Sequence, residues 1–441
     1  MTSLKLRAFV LLLLAACAPS TQTGGISPAL NPREQLRHSI DSLASKPIFR
    51  NSFMGILVVN PATGDTLFSR NASKLFMPAS NEKIITASVA LTLLGADYRY
   101  RTTFVSRGAI RDSALDGDLI VIGRGDPTVS NHAQQGNAMS WMARVADSLA
   151  ARGIKRVNGS LVRGGDAFPD GIYGYGWEWD DLDTESGAPV DELLYDEGMT
   201  TMPTRVNGRD TTVAIATRTP ARTYLDALAA ALTTKGITVA RGVSDSIAEI
   251  NAPRLDTLFV VTSPPLRDIL KLLEKPSQNQ IAEILIHTIG LEKTGVGRAD
   301  SGAAVIRRQL LTWGVETDGH RTYDGSGLSR HDLVSPETIV RTLVAIQRDT
   351  AFQAFYDALP IAGVDGTLRT RMLGTPAAGN MHAKTGTLQF VRSLSGYVND
   401  ADGDRLVFSL LHNHFTAPVD SVSKFQNEVG ALLASYRAKR R

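Results

Sequence analysis

The spacing of hydrophobic residues predicts both helix and strand in the N-terminal part of the chain. Apolar residues recur every three or four positions over residues 32–45, as in an amphipathic helix. An apolar run over residues 53–59 precedes a polar turn at residues 61–65, which indicates a buried strand leading into a hairpin. Ser80 begins a strongly apolar run that Gly95 ends, and this run predicts a buried helix.

The C-terminal part predicts a helix, a strand pair and a final helix. Residues 278–288 place their apolar side chains on one side of a helix. Two strand-like runs, 391–398 and 406–412, are separated by a polar turn at residues 399–403 that indicates a hairpin. The amphipathic pattern of residues 422–438 predicts a helix that packs across this sheet.

Residues 101–262 have a different pattern, in which strand-like segments alternate with turns rich in Gly, Asp and Pro. The strand-like segments are 119–122, 213–216 and 258–261. One predicted helix, residues 224–232, interrupts them. Because 441 residues exceed what one hydrophobic core usually holds, we interpret this region as an inserted β-rich domain. It separates the two parts of an α+β domain, residues 32–100 and 263–441.

The N-terminus has the pattern of an export signal. Lys5 and Arg7 precede an apolar run over residues 8–16 that is too short to span a membrane. Cys17 follows directly, as in the lipobox of bacterial lipoproteins, and residues 17–31 read as a flexible tether. We therefore expect a signal peptide at residues 1–16 and a periplasmic protein anchored to a bacterial membrane by a lipid on Cys17. The alternative is an ordinary signal peptide with a stray cysteine.

Composition and charge narrow the chemistry. A hydrophobic content of 43% and a charged content of 21% are ordinary for a globular protein. The net charge of +3 is small, and the basic C-terminus reads as a solvated helix end, so no nucleic-acid partner is indicated. Cys17 is the single cysteine, which excludes a cysteine nucleophile and a multi-cysteine metal site. His412 and His414 lack a third ligand, and we predict no metal or organic cofactor.

Three short motifs with catalytic chemistry each occur twice. The pairs are Ser80-x-x-Lys83 and Ser421-x-x-Lys424, Ser277-x-Asn279 and Ser69-x-Asn71, and Lys384-Thr385-Gly386 and Lys293-Thr294-Gly295. Serine is a poor nucleophile unless a nearby base takes its proton, and serine and lysine three residues apart share one face of a helix. Each motif alone is weak evidence, so its surroundings must decide.

Context favours one copy of each motif. Lys293-Thr294-Gly295 lies only 14 residues after Asn279 and reads as the glycine-capped end of a helix. Lys384-Thr385-Gly386 instead leads into a predicted strand pair, where Gly386 would leave one strand face bare for a substrate backbone. Only the order Ser80, Ser277, Lys384 gives each motif a suitable scaffold. This three-part set is typical of β-lactamases and penicillin-binding proteins.

With these motifs the chain resembles the low-molecular-mass class C penicillin-binding proteins, the S13 family of D-alanyl-D-alanine carboxypeptidases and endopeptidases. Further matching segments are residues 77–83, 125–128, 177–179, 264–266, 324–330, 366–368 and 382–388. The 197 residues between Ser80 and Ser277 are also typical of this family, which carries extra domains there. The resemblance implies a transpeptidase-like domain, an antiparallel sheet flanked by helices, and hydrolysis of peptidoglycan stem peptides.

The resemblance also implies roles for the motif residues in catalysis. Ser80 would attack the carbonyl carbon of the penultimate D-Ala and form an acyl-enzyme. Lys83 would accept the serine proton, which requires a pKa lowered by burial and by the neighbouring Lys384. Ser277 would pass a proton to the leaving nitrogen. β-Lactams would acylate the same serine and leave slowly.

Other motif residues would bind the substrate. Asn279 would hydrogen-bond the substrate backbone, while Lys384 and Thr385 would bind the terminal carboxylate. The backbone N–H groups of Ser80 and Thr387 would form the oxyanion hole.

Several residues outside the motifs have competing interpretations. Asp126, in a Gly-Asp-Pro turn, reads more simply as an Asx-turn residue, but it is also a candidate to bind the charged amine of a diamino acid in the stem peptide. Arg330 and Arg371 are weaker candidates. Trp177 and Trp179 are interpreted as anchors of the inserted domain.

Two other function classes stay open. One is a β-lactamase or esterase of the same fold. The other is a wall-binding or sensor protein without turnover, although a pure binder has no need of the base Lys83.

Overall fold

The computed structural model describes residues 30–206, 208–251 and 255–438. The α-helices are α1 Pro32–Ala44, α2 Glu82–Leu94, α3 Met139–Ala150, α4 Pro220–Thr234, α5 Leu266–Glu274, α6 Asn279–Thr294, α7 Ala299–Thr312, α8 Pro336–Ile346, α9 Phe352–Ala358 and α10 Val419–Ser435. Short 3₁₀ turns lie at Pro47–Phe49, Ala79–Asn81, Asp196–Gly198 and Gly366–Leu368.

The β-strands of the described residues are numbered in chain order. They are β1 Phe53–Asn60, β2 Asp65–Arg70, β3 Arg101–Ser106, β4 Ile110–Arg111, β5 Ala114–Leu115, β6 Leu119–Ile122, β7 Arg156–Val157, β8 Leu161–Gly164, β9 Met199–Val206, β10 Arg209–Ala216, β11 Thr238–Val239, β12 Val243–Ala248, β13 Asp256–Thr262, β14 His320–Arg321, β15 Leu333–Val334, β16 His382–Leu388, β17 Val391–Asn399 and β18 Arg405–Asn413.

The main sheet is antiparallel, with strand order β16-β17-β18-β1-β2. Its central strands β17 and β18 are buried on both faces, which explains their nearly continuous apolar sequence. Helices α1 and α10 cover one face of this sheet. Helix α8 packs against the opposite face, and α2, α5 and α6 share its hydrophobic cluster. The result is an α+β domain with an antiparallel sheet between two helical layers.

Helix α2 lies at the centre of this domain. Every residue from Glu82 to Leu91 is buried, so the helix has no solvated face. It contacts α5, α6, α7 and α8 around its circumference. The start of α2 is therefore held from several sides, which fixes the position of the side chains in its first turn.

A second five-stranded sheet is built by residues 101–262, with strand order β12-β8-β6-β3-β13. Helices α3 and α4 pack against it around a separate hydrophobic cluster that includes Trp141, Tyr224 and Phe259. Strands β9 and β10 form an isolated hairpin. Helix α3 was not predicted, so the expectation of a single helix in this region is wrong.

Most predicted elements outside that region are confirmed, with small shifts of their ends. Helix α1 and strand β1 match the expected positions, and Gly95 follows directly on the end of α2. Helix α6 runs to Thr294, where Gly295 ends it in a left-handed conformation (φ 80°). The C-terminal helix α10 begins three residues earlier than expected, at Val419. Helices α5, α7, α8 and α9 were not predicted.

The predicted export signal and Cys17 lie outside the described residues. Among the helices of the described residues, none combines the length and the apolar character needed to cross a membrane.

Candidate active site

The candidate nucleophile Ser80 lies in the 3₁₀ turn Ala79–Asn81, immediately before α2. Two side chains attach this turn to the main sheet. Asn81 Nδ2 donates to the carbonyl oxygen of Lys384 at 2.9 Å, and Ser393 Oγ donates to that of Pro78 at 2.7 Å. Asn81 and not Ser80 is the N-cap residue of α2, so Ser80 does not serve as a helix cap.

Lys83 lies one helical turn after Ser80, and its amine is at the centre of the site. Lys83 Nζ is 2.9 Å from Ser80 Oγ, 2.6 Å from Asn279 Oδ1 and 2.9 Å from the carbonyl oxygen of Ser326. The side chain is completely buried. Burial, and next the charge of Lys384, lowers the pKa of Lys83 to about 7. An amine with this pKa is substantially neutral near pH 7 and can accept a proton.

Ser277 and Lys384 form the second polar pair. Lys384 Nζ donates to Ser277 Oγ at 2.7 Å and to the carbonyl oxygen of Thr385 at 3.1 Å. Burial lowers the pKa of Lys384 to about 8, and the carboxylate of Glu274 opposes this shift. Lys384 is completely buried, so it is not a solvent-facing strand lysine.

Ser277 also has an unusual backbone. Its φ of 71° lies in the left-handed region, which costs a residue with a side chain roughly 1 kcal/mol or more. Gln278 rather than Ser277 caps α6, because its side chain accepts a hydrogen bond from the N–H of Ile281 at 2.8 Å. Ser277 is therefore not a helix cap, and its Oγ contacts Lys384 instead.

Asn279 connects the motif residues to the inserted region. Besides the contact with Lys83, its Nδ2 donates to the carbonyl oxygen of Ser186 at 2.8 Å. Residues 101–262 thus contribute a backbone group to the site.

Strand β16 is the edge strand of the main sheet and carries Lys384, Thr385, Gly386 and Thr387. A Cβ atom on Gly386 would lie 2.0 Å from Ser393 Oγ, 2.8 Å from the carbonyl oxygen of Pro78 and 3.0 Å from the backbone N of Ser80. Gly386 is therefore needed because its Cα faces the turn that carries Ser80. This differs from the expected reason, a bare strand face for the substrate.

These residues open into a cavity of about 290 Å³. Its lining residues are Ser80, Ser186, Ser277, Asn279, Gly327, Leu328, Thr367, Thr385, Gly386, Thr387 and Leu388. Lys83 and Lys384 lie behind this surface, in contact with Ser80 and Ser277. The structure thus brings together all the predicted motif residues, and the other copies of the motifs lie elsewhere, on β2, α6 and α10.

Asp126 is the predicted site residue that the structure does not bring to this cavity. Its carboxylate is buried, and Oδ1 accepts hydrogen bonds from the backbone N of Thr128 at 2.9 Å and from Thr128 Oγ1 at 2.7 Å. This is the geometry of an Asx turn, the simpler of the two interpretations. Burial raises the pKa of Asp126 to about 6.

Sequence reasoning missed the loop that approaches Lys83 from the other side. Asp324 Oδ1 accepts from the backbone N–H groups of Ser326 at 3.1 Å and Gly327 at 2.7 Å. Asp324 Oδ2 accepts from the backbone N of Ser329 at 2.7 Å and from Trp177 Nε1 at 2.9 Å. The loop thereby holds the Ser326 carbonyl against Lys83. The signal was the glycine-rich run 324–327, for which no role was assigned.

Buried carboxyl groups around Lys83 were also missed. Glu82, Glu274 and Glu283 are essentially inaccessible, and burial is the main cause that raises the pKa of Glu82 and Glu283 to about 8 and that of Glu274 to about 7. Glu283 accepts hydrogen bonds from the backbone N–H groups of the 324–327 loop. No sequence motif marks these positions, because a glutamate in a helix is usually solvated.

The two tryptophans differ in their surroundings. Trp177 anchors the inserted region through its hydrogen bond to Asp324, as expected. Trp179 is 84% exposed, so its interpretation as an anchor is wrong. Arg330 forms an ion pair with Glu178 at 2.6 Å, and Arg371 is bound to α10 through Asn427.

Sequence and structure comparisons identify relatives over nearly the whole chain. Residues 36–209 and 201–434 match the D-Ala-D-Ala carboxypeptidase 3 (S13) family. The D-alanyl-D-alanine carboxypeptidase of Actinomadura sp. (strain R39) is 31% identical over 93% of this chain and 88% of its own length. The D-alanyl-D-alanine carboxypeptidase DacB of Haemophilus influenzae is 27% identical over 85% of this chain and 88% of its own.

The crystal structure of penicillin binding protein 4 (dacB) from Haemophilus influenzae has the same fold. It superposes with a TM-score of 0.79 at 23% sequence identity, covering 90% of this chain and 99% of that one. The chain therefore has the fold class of the penicillin-binding proteins, an antiparallel sheet flanked by helices. Within that class the chain belongs to the S13 family and is a serine-type D-Ala-D-Ala carboxypeptidase.

Proposed function

We propose that the reaction proceeds through an acyl-enzyme on Ser80, with Lys83 as the general base. The observation that carries this proposal is the 2.9 Å distance between Lys83 Nζ and Ser80 Oγ, in a buried site that lowers the pKa of the lysine to about 7. Neutral Lys83 takes the proton of Ser80 while Oγ attacks the carbonyl carbon of the penultimate D-Ala. The C–N bond of the tetrahedral intermediate then breaks, and the acyl group stays on Oγ.

The leaving nitrogen needs a proton, and Ser277 is placed to deliver it. Its Oγ accepts a hydrogen bond from Lys384 at 2.7 Å, so Lys384 can replace the proton that Ser277 gives away. Water then attacks the acyl carbon and gives a proton through Ser277 to neutral Lys384. As the bond between the acyl carbon and Ser80 Oγ breaks, Lys83 returns its proton to Oγ and the peptide leaves with a new carboxyl group.

Residues on β16 and α6 bind the substrate in this proposal. Thr385 and the cationic form of Lys384 bind the C-terminal carboxylate, and Asn279 hydrogen-bonds the peptide backbone. The backbone N–H groups of Ser80 and Thr387 stabilise the oxyanion, a contribution typically worth about 3–4 kcal/mol for one donor. Both residues line the cavity, and the Ser80 backbone N lies beside Gly386 on β16.

A β-lactam is expected to acylate the same serine, because its strained amide presents the same carbonyl and carboxylate. A structure of the Haemophilus influenzae relative carries a β-lactam. No observation favours the alternatives of a β-lactamase, an esterase or a non-enzymatic binding protein.

The proposal is tested by labelling with a fluorescent penicillin and mapping the modified peptide by mass spectrometry. We expect a stable adduct on Ser80 in the wild type and no adduct in Ser80→Ala. Ser421→Ala, in the second copy of the motif, is the matched control and should label normally. An adduct on another serine, or wild-type hydrolysis of a D-Ala-D-Ala peptide by Ser80→Ala, contradicts the mechanism.

We also propose that the chain is exported and lipid-anchored at Cys17, and that residues 101–262 form a domain inserted between the two parts of the catalytic domain. The basic start, the short apolar run and the position of Cys17 support the anchor. Mass spectrometry of the N-terminal peptide is expected to show lipid on Cys17 and none after Cys17→Ser. An unmodified Cys17 within a retained leader sequence contradicts this proposal.

A further inference from the structure

A second cavity, of about 740 Å³, lies outside the active site described above. Its lining residues are Asp170, Gly171, Tyr173, Gly174, Tyr175, His287, Arg298, Ala299, Asp300, Ala303, Ala304, Arg307, Thr317, His320, Arg321, Thr322 and Tyr323. This volume is in the range of small-ligand sites, and it exceeds the roughly 290 Å³ around Ser80.

The cavity is formed between the inserted region and the catalytic domain. Residues 170–175 supply one wall, and α7 and β14 supply the other. Tyr323 continues directly into the loop that bears Ser326 and Gly327, which reach the active site. The two cavities therefore share one loop.

The acidic residues of the cavity already have partners. Asp170 lies 3.2 Å from Arg298 and 3.5 Å from His287 Nε2, and it accepts a hydrogen bond from the backbone N of Ala299 at 2.7 Å. Asp300 lies 3.2 Å from Arg298 Nε. Arg298 thus contacts both carboxylates, and its single positive charge offsets one of their two negative charges.

Two cationic side chains of the cavity have no such partner. Arg307 and Arg321 are exposed, and neither guanidinium forms an ion pair or hydrogen bond with any residue in the described part of the chain. The lining has three arginines against two aspartates, so these side chains leave a net charge of +1 and the cavity favours an anionic ligand. A guanidinium binds a carboxylate through two parallel hydrogen bonds.

Two buried polar atoms in the lining also lack a partner within the described residues. They are Nδ1 of His320, a residue only 7% exposed, and the hydroxyl of Tyr173. Burial, and next the charge of Arg307, lowers the pKa of His320 to about 4, so its ring is neutral at pH 7. Because a buried polar group without a partner is costly, these atoms indicate a ligand with hydrogen-bonding groups.

The mouth of the cavity carries an aromatic surface. The ring of Tyr175, which is 63% exposed, stacks on Tyr323 with a centroid distance of 5.1 Å and an interplanar angle of 27°. A flat aromatic surface beside free cations suits a ligand that combines an apolar ring face with an acid group, as a sugar ring bearing an acidic peptide does.

We propose that this cavity binds an acidic glycopeptide segment of peptidoglycan, with a carboxylate on Arg307 and Arg321 and polar groups on His320 and Tyr173. The proposal rests on the proposed function, since the polymer whose stem is cleaved at Ser80 also carries such segments. Binding here holds the polymer beside the catalytic cavity without contact with Ser80.

The experiment is a calorimetric titration of protein that has first been acylated with penicillin, so that the active site is blocked. The probe is N-acetylmuramyl-L-alanyl-D-glutamate, which has carboxylates but no D-Ala-D-Ala. We expect the double variant Arg307→Ala/Arg321→Ala to bind roughly tenfold more weakly, as expected for the loss of one or two charge-assisted hydrogen bonds. Arg308→Ala is the control, because Arg308 is an exposed neighbour on α7 outside the lining.

The outcomes separate this proposal from the catalytic one. Absence of probe binding to the wild type, or equal affinity in the double variant, overturns the second site. Equal binding of neutral chitotriose overturns the requirement for a carboxylate and with it the proposed ligand. Failure of penicillin to acylate the wild type contradicts the mechanism at Ser80 instead, and the titration is then made on unlabelled protein.

Discussion

Lys83 and Lys384 have different tasks in the proposed mechanism, and their surroundings favour different protonation states. Both amines are completely buried, which lowers both pKa values. Lys83 is also close to the positive charge of Lys384, and its pKa falls to about 7. The Glu274 carboxylate opposes the shift for Lys384, whose pKa remains at about 8. Near pH 7 to 8 a neutral Lys83 can therefore coexist with a charged Lys384.

Glu274 is predicted to set the pH range of acylation. Its ionised carboxylate raises the pKa of both lysines, so Glu274→Gln removes a stabilising charge and lowers both values. In a plot of the acylation rate against pH, the acid limb reports deprotonation of Lys83, and the alkaline limb reports loss of the proton from Lys384. Because the pKa of Glu274 is itself about 7, its negative charge is present mainly above pH 7. We therefore expect the alkaline limb of the penicillin acylation rate, measured from about pH 5 to pH 9, to move toward lower pH, and the acid limb to move less.

The matched control for Glu274→Gln is Asp268→Asn on the same helix. Asp268 is half exposed and forms an ion pair with Lys271 at 3.2 Å. It is not among the main charges that shift the pKa of Lys83 or Lys384. Asp268→Asn removes the same charge and should leave the profile in place. If Glu274→Gln lowers the rate equally at every pH, Glu274 has a packing role and the electrostatic explanation is wrong.

Among the structural elements, the edge strand β16 and the Ala79–Asn81 turn depend on each other. The closest approach is at Gly386, where a Cβ would meet Ser393 Oγ at 2.0 Å. Gly386→Ala is expected to push the turn away from the strand and displace Ser80 from Lys83. A displacement of about 1 Å can reduce the rate of a positioned reaction about 100-fold, so we expect a loss of that order in acylation.

Two variants test this explanation for Gly386. Gly386→Ala/Ser393→Ala removes the shortest contact but keeps those with Pro78 and Ser80, so partial recovery of acylation is expected. Gly171→Ala is the control, since a Cβ there meets nothing within 4 Å. Full activity of Gly386→Ala, with unchanged thermal stability, contradicts the proposed coupling between strand and turn.

The elements differ in how well their sequence predicts them. Helix α2 and strands β17 and β18 were predictable because their burial gives long apolar runs. Helix α3 was not, although Trp141, Met142, Val145 and Leu149 follow helical spacing. Helix α3 lies among Gly- and Asp-rich turns, and the prediction followed the composition of the whole region instead of this local helical spacing.

The site was predictable where its side chains stand in short motifs, and not where it depends on buried carboxylates outside the motifs or on backbone groups. Ser80, Lys83, Ser277 and Lys384 stand in short motifs with fixed spacing. The carbonyl oxygens of Ser186 and Ser326 contact the same cluster, but a backbone carbonyl has no residue type by which to recognise it. Such contacts depend on tertiary structure alone.

At the scale of the whole molecule, the inserted region is attached to the active site at two points. Ser186 accepts a hydrogen bond from Asn279, and Trp177 donates one to Asp324 in the loop beside Lys83. Residues 101–262 therefore contribute to the shape of the catalytic cavity as well as to the second cavity. Asp324 at this junction and Glu82 and Lys83 in α2 are all buried, so folding must remove these groups from water together.

Burial of Glu82 is predicted to make stability depend on pH. Its pKa is about 8 in the folded state against 4.5 for an unperturbed glutamate. Between these values the folded state holds a proton that the unfolded state has lost, so raising the pH lowers the free energy of unfolding. The slope for one such group is on the order of 1 kcal/mol per pH unit. Relative to wild type, Glu82→Gln should therefore gain stability from about pH 5 to pH 7.

The measured quantity is the difference in the free energy of unfolding between Glu82→Gln and wild type, because other groups titrate in the same pH range. Burial lowers the pKa of His320 and His412 to about 4, so these histidines make the protein more stable as the pH rises toward their unfolded pKa of about 6.5. Their contribution is the same in both proteins and cancels in the difference. Denaturant unfolding of wild type, Glu82→Gln and the exposed control Glu316→Gln at both pH values measures it. A difference for Glu82→Gln that stays constant with pH would mean that Glu82 is ionised in the folded protein, and that the charges of Lys83 and its neighbours outweigh the cost of burial.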